Sequence, residues 1–225
     1  MSEQRVESVE RALSLLECFR EDRQALSLAE LAEATGMYKS TILRLAASLE
    51  RFGYLVRRED GVFRLGPAVQ RLGAIYRQGF NLEHLIRPEL LWLVQTTGET
   101  ASFYVQDGNA RICLYRENSP KAARHHLDEG AQLTLATGAS GHVLRAFGRN
   151  PVPAEAQVQD TGYAISVGER DPDLAAIAMP VLDRKGTLYG ALSVSGIVTR
   201  FTEERRIGIL EALGESVARL KNRLS

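Results

Sequence analysis

The stretch LSLAELAEATGMYKSTILRLAASLERFGYLVRREDGVFRLG, residues 26–66, decides the fold of this chain. Ser27 can accept a hydrogen bond from the helix residue three positions on and Glu30 can accept one in return, a capping box ahead of Leu28, Leu31 and Ala32, while Gly36 supplies a left-handed stop. After that turn, residues 38–52 put Ile42, Leu45, Leu49 and Phe52 on one helical face and Ser40, Arg44, Ala47 and Arg51 on the opposite one. A short helix, a glycine turn and a longer helix with a polar outer face predict a helix-turn-helix, whose second helix can lie in the major groove of DNA. The residues that follow, YLVRREDGVFRLG, read as two short strands joined at Asp60-Gly61, a pair that favours a tight hairpin. They make a basic β-wing bearing Arg57, Arg58 and Arg64.

Working outward, Val6, Val9, Leu13, Leu16 and Phe19 recur at helical steps and predict a first amphipathic helix over 6–19. On the other side Pro67 opens a helical pattern through Val69, Leu72 and Ile75, and Gly79 with Asn81 marks a break, so a linker is placed there. Beyond Gly98 the pattern becomes mixed. Strands are expected at 100–106 and 111–116 around the turn Asp107-Gly108-Asn109, and again at 175–182 and 188–195, before a closing helix over 203–224.

The formal net charge is zero, yet residues 1–36 hold four Arg against eight acidic residues and residues 37–72 hold seven Lys/Arg against three. A local cationic excess is what a phosphate-contacting surface needs, because each neutralised phosphate releases condensed counterions. No apolar run has signal-peptide or membrane-span length, so a cytoplasmic protein with no membrane partner is expected. Cys18 and Cys113 show no CxxC or Cys/His spacing, which argues for reduced core thiols and against a disulfide framework or a zinc site.

On the helix over 38–52, Lys39, Ser40 and Thr41 lie in the first turn beside Tyr38, where free backbone N–H groups favour a phosphate, and Arg44 one turn later can reach a guanine edge with two hydrogen bonds. Arg51 is expected on phosphate, Arg57, Arg58 and Arg64 on backbone or minor groove, and Arg5 alongside them from the N-terminal arm. In the second half, Gly138-Ala139-Ser140-Gly141 precedes a helix beginning near His142, so its N–H groups are placed to bind a carboxylate. Ser193 and Ser195 are two apart on a strand and point to the same side. The plainer alternative is that these glycines serve close packing and these serines bond to nearby backbone.

The chain resembles the IclR-type transcriptional regulators. RVESVERALSLLECF and the stretch quoted above are similar to their DNA-binding domain, and the likeness continues through ETASFYV, GASG, GYAIS, AIAMPV, GALSVSG and RFTEE. The resemblance implies an α+β chain: a winged helix-turn-helix over 1–66, a linker helix over 67–80, and an effector-binding domain over 81–225 similar to GAF and profilin-like folds, whose curved antiparallel sheet holds a small organic acid. It implies anion contacts at Ala139, Ser140 and Gly141, paired hydroxyls at Ser193 and Ser195, and apolar walls at Leu133 and Leu174. The chain departs from the family where Ser166 replaces an acidic residue, Ala176 a cysteine and His142 a basic residue, and where the segment between Phe147 and Gly162 is too short for the usual helices. A wider or more open pocket is therefore expected, for a larger or more apolar carboxylate, aromatic acids among the candidates.

The resemblance also implies a homodimer through the first helix and the linker helix, or a dimer of dimers, with double-stranded operator DNA as partner and no cofactor. An enzyme is disfavoured: His125 and His126, adjacent on a strand, would point to opposite sides and could not share a metal, and GASGH is not a nucleophile elbow. Of the histidines, His142 alone is expected near the pocket. The alternative function is a protein-interaction or small-molecule-sensing module that does not bind DNA.

Overall fold

The computed structural model describes residues 6–20, 22–80 and 82–224. The chain divides into two compact units, Met1–Phe80 and Asn81–Ser225. Among the described residues no helix is long and apolar enough to cross a membrane.

The first unit runs α1 (Glu7–Leu16), α2 (Leu28–Thr35), α3 (Lys39–Arg51), β1 (Leu55–Arg57), β2 (Phe63–Leu65) and α4 (Pro67–Phe80). The capping box is formed: Ser27 N donates to Glu30 Oε2 at 2.8 Å and Glu30 N to Ser27 Oγ at 3.3 Å. Gly36 then ends α2 with φ +67°. Leu15, Leu26, Leu31, Ile42, Leu55 and Phe63 close into one core, each contributing on the order of 1.5–3 kcal/mol by leaving water. The wing pairs Leu55 with Leu65 and Arg57 with Phe63. Its loop is one residue longer than the Asp60-Gly61 pair suggests: Gly61 N donates to the Arg58 carbonyl, Arg58 N to the Val62 carbonyl, and Gly61 takes φ +82°. This is a three-residue hairpin loop closed by a left-handed glycine.

Two features of this unit differ from the sequence pattern. α1 stops at Leu16, and the expected stripe Val6, Val9 and Leu13 stands more than half exposed, while Leu15 is fully buried with Ala12 and Leu16 beside it. The row packed onto α2 and α3 is thus rotated from the apolar stripe, which is left uncovered within this unit. Phe52, expected in the core, is 70% exposed because it terminates α3 and leaves helical backbone geometry; Ala46 fills the inward row with Ile42 and Leu49.

The second unit contains α5 (Glu83–Thr97), β3 (Thr100–Asp107), β4 (Ala110–Glu117), β5 (Gln132–Thr134), α6 (Ala139–Phe147), α7 (Ala156–Thr161), β6 (Ala164–Val167), β7 (Leu174–Leu182), β8 (Leu188–Ile197) and α8 (Glu203–Arg223). The six strands form one curled antiparallel sheet in the order β5-β4-β3-β8-β7-β6. Strand alternation gives its two faces different characters. Phe103, Ile177, Leu192 and Val194 pack against α5 and α8, whereas Ala176, Ala178, Ala191 and Tyr104 lie on the side of α6. Small side chains on that second face leave room above the sheet.

The edge strands β5 and β6 do not show in the sequence pattern, being three and four residues long, too short to display a two-residue alternation. The segment too short for the family's usual helices carries a 3-10 turn (Pro153–Glu155) followed by the six-residue α7, and Val158 packs against the α6 core. His125 and His126 lie in an irregular segment between β4 and β5, not on a strand. Cys113 is fully buried, and Cys18 is only half-buried, its Sγ bonded to the Ser14 carbonyl at 3.2 Å; both are free thiols.

Candidate functional site

Two surfaces carry the chemistry, one in each unit. On the first, Tyr38 is 85% exposed at the start of α3, and Lys39, Ser40 and Arg44 stand exposed behind it with Thr41 half-buried. Tyr38 provides no side-chain cap, so the first-turn N–H groups of Lys39 and Ser40 remain for an outside acceptor. Arg51 closes the same helix on its exposed side. On the wing, Arg57 lies over the Phe63 ring at 5.2 Å and reaches the Gly61 carbonyl, and Arg58 sits 3.7 Å from Asp60. Arg64 is exposed, and Lys39, Arg44, Arg51 and Arg64 form no ion pair among the described residues. Arg5 lies outside the described residues.

The second surface is a cavity of about 50 Å³ between the α6 side of the sheet and the loop leading into α6. Leu133, Ala139, Ser140, Ser166, Leu174, Ala176, Ser193 and Ser195 line it. Gly141 and His142 do not. Gly141 has a packing role: a Cβ there would meet the Leu135 carbonyl at 2.6 Å and Arg111 Nη1 at 2.7 Å. His142 is held outside the cavity by Glu155, at 3.0 Å from Nδ1, and Glu169, at 2.8 Å from Nε2. Sequence reasoning missed Tyr104, Arg111, His125, Glu169 and Arg170, all of which line the space. The signal for Arg111 was present, since an arginine inside the apolar strand ARICLYRE, in register with Gln106, shares a face with Tyr104 and Cys113.

The expected anion site at the N-terminus of α6 already has internal acceptors. Gly138 N donates to Glu169 Oε2 at 2.8 Å and Ala139 N to Ser166 Oγ at 3.0 Å. Burial pushes the Glu169 carboxyl up, but the Gly138 N–H and His142 outweigh it and hold the group below the usual carboxylate range. The Ser193 and Ser195 hydroxyls make no side-chain hydrogen bond among the described residues, so they are not spent on nearby backbone. His125, expected away from the pocket, has Nε2 at 2.9 Å from Arg170 Nη2; burial first, then the Arg170 and Arg116 cations, push its imidazole down to about 4. Of the departures from the family pattern, Ser166 and Ala176 line this space of about 50 Å³ together with Arg111, Tyr104, Arg170 and His125, and His142 does not. A larger hollow of about 580 Å³ in the first unit has exposed Glu17, Arg20, Asp22 and Arg23 as half of its lining, and gathers no convergent buried polar groups among the described residues.

Both units match known protein domains. The IclR helix-turn-helix domain matches residues 8–59, and the bacterial transcriptional regulator IclR C-terminal domain matches residues 153–222. The chain is 24% identical to the HTH-type transcriptional regulator KipR of Bacillus subtilis, over 96% of each. A crystal structure from a Silicibacter species, assigned to the IclR transcriptional regulators, superposes with TM-score 0.85 at 27% identity, covering 96% of this chain and 95% of that one. An IclR homolog from Microbacterium hydrocarbonoxydans, solved in complex with 4-hydroxybenzoate, shares the fold with TM-score 0.80 at 21% identity, covering 97% and 99%.

Proposed function

Because the chain belongs to the IclR family of bacterial transcriptional regulators, we propose that it binds operator DNA through α3 and the β1–β2 wing, and that a small carboxylate in the second-unit cavity modulates that binding. The observation that carries the DNA part is the exposed polar face of α3, where Lys39, Ser40 and Arg44 stand with no ion-pair partner among the described residues. Arg44 is assigned to a base edge, Tyr38 and Thr41 to the same groove, and Arg51, Arg57, Arg58 and Arg64 to phosphate or minor groove. A single winged unit reads few base pairs, so a homodimer or a dimer of dimers supplies the second half-site. The uncovered apolar residues Val6, at the head of α1, Val9 and Leu13 of α1, and Leu72 and Ile75 of α4 support that assembly. A cytoplasmic location and the absence of catalysis follow from the same reading.

For the effector, the cavity is far smaller than the roughly 300–1,000 Å³ that drug-sized ligands occupy. A small acid suits it as it stands, while an aromatic acid requires the Glu169–His142–Gly138 cluster to open. Leu133 and Leu174 form the apolar wall, and Ser193, Ser195 and Ser140 supply hydroxyls.

Fluorescence anisotropy with duplexes from the chain's own promoter region tests the DNA assignment: binding should weaken steeply between low and moderate salt. No salt-sensitive association with any duplex would favour an interaction or sensing module instead. Calorimetry with pyruvate, glyoxylate and a series of benzoates tests the effector class, and Ser193→Ala with Ser195→Ala should remove the effector response while DNA binding persists. An unchanged response would reject those hydroxyls as ligands.

A further inference from the structure

Two arginines of the second unit are buried, Arg111 at 3% and Arg116 at 6% exposure, and the protein treats them differently. Arg116 spends all three nitrogens internally: Nε on Asn118 Oδ1, Nη1 on Ser102 Oγ and Nη2 on the His125 carbonyl. Arg111 commits Nη1 alone, to the carbonyls of Thr134 and Thr137. Its Nε is buried with no hydrogen-bond partner, and its Nη2 has none among the described residues. Nor does it form an ion pair among the described residues, Glu169 attracting it without direct contact. Burial pushes this guanidinium down from its ordinary value, as expected of a cation removed from water without a counterion.

Nε and Nη2 lie on one edge of a planar guanidinium, at the spacing of two carboxylate oxygens. The side chain lines the cavity, beneath a loop whose own N–H groups at Gly138 and Ala139 are engaged by Glu169 and Ser166. Charge along the lining agrees. Arg111 and Arg170 are cationic, Glu169 is held ionised and His125 is neutral at pH 7, leaving one positive charge without an anion.

We propose that Arg111 is the anchor for the effector's carboxylate, taken side-on by Nε and Nη2, and that it makes the cavity selective for a monocarboxylate over the corresponding neutral amide. This rests on the assignment of the cavity as an effector site and moves the anion contact from the N-terminus of α6 to β4. The glycines of GASG then have a defined purpose. A Cβ at Gly138 would lie 3.1 Å from Arg111 Nη2, and one at Gly141 2.7 Å from Nη1, so the loop closes over the guanidinium because it lacks those side chains.

The test is calorimetric titration of the full chain with pyruvate, benzoate and 4-hydroxybenzoate, each against its amide, in wild type, Arg111→Lys and Arg111→Met. A charge-assisted fork predicts that the wild type prefers the acid by about tenfold or more. Arg111→Met should bring acid and amide within about twofold of each other. Arg111→Lys keeps a charge but not the fork, and should lose most of the preference while its melting temperature shows it folded; this variant carries the decision if Arg111→Met does not fold. An acid-to-amide ratio in Arg111→Lys equal to wild type would overturn the proposal and leave Arg111 as a pin for residues 134–137. Failure of the wild type to bind any of the acids would instead remove the effector reading itself, and the proposal with it.

Discussion

The outer face of α3 and the cavity beneath α6 both offer cations to an anion, under opposite physical conditions. On α3 and the wing, Lys39, Arg44 and Arg64 are in water, unpaired among the described residues, each contributing a modest and salt-screened share. Around the cavity, Arg111 and Ser166 are buried: the Ser166 hydroxyl takes the Ala139 N–H, and Arg111 leaves Nε without a partner, a costly vacancy. Removing one group should therefore weaken the first surface by degrees, whereas it should change the second in kind.

Phe63→Ala should give the largest effect. Phe63, on the wing strand β2, is fully buried in the first unit's core, and its truncation should cost about 3–5 kcal/mol, abolishing duplex binding while acid binding by the second unit persists; loss of both together would show that the two regions are not independent. In the converse experiment, Gly141→Val should destabilise the second unit by about 1–3 kcal/mol through overpacking against Leu135 and Arg111. It should remove acid binding and leave duplex binding at low salt, as thermal melts and anisotropy would show.

Arg44→Ala should lose about 1–3 kcal/mol of discrimination between operator and mismatched duplex; an unchanged specificity ratio would move Arg44 to the phosphate class. Arg64→Ala should weaken all duplexes alike and lower the salt slope by about one, a contrast that separates base reading from backbone contact.

The smallest effect concerns pH and sharpens the buried side of the comparison. His125 binds its proton with a value near 4 when folded, against 6.5 as its ordinary value. Between those values the unfolded chain holds a proton that the folded chain refuses, so stability should fall as pH drops from 6.5 towards 4. Glu169, whose folded value is lowered, adds a loss in the same direction at more acid pH. Melting His125→Asn at pH 7 and pH 5 should show a smaller difference than wild type; an equal difference would place the titration elsewhere.

How much of this was legible depends on how far apart the cooperating residues are in the chain. The α2–turn–α3 unit was readable because Ser27, Glu30 and Gly36 act within one or two turns of backbone, and the wing because Asp60 and Gly61 set their own loop. The four long strands showed in their apolar character and in the turn at 107–109. α1 was legible as a helix, but its apolar stripe and its packed row are different rows of that helix, and periodicity reports only the first. Phe52 was misjudged because a helical pattern does not say where the helix ends.

Local chemistry settled the class of each element, the polar outer face of α3, the basic wing and the shared side of Ser193 and Ser195, since capping, turn geometry and the two-residue strand repeat operate between near neighbours. Folding in three dimensions alone decided that Arg111 would meet Gly138 and Gly141, that Glu169 would take the N–H at the head of α6, and that His125 and not His142 would face the cavity. Those partners lie tens of residues apart. The packing of α6 on the sheet brings them together and removes the water that would otherwise make their pairing inconsequential.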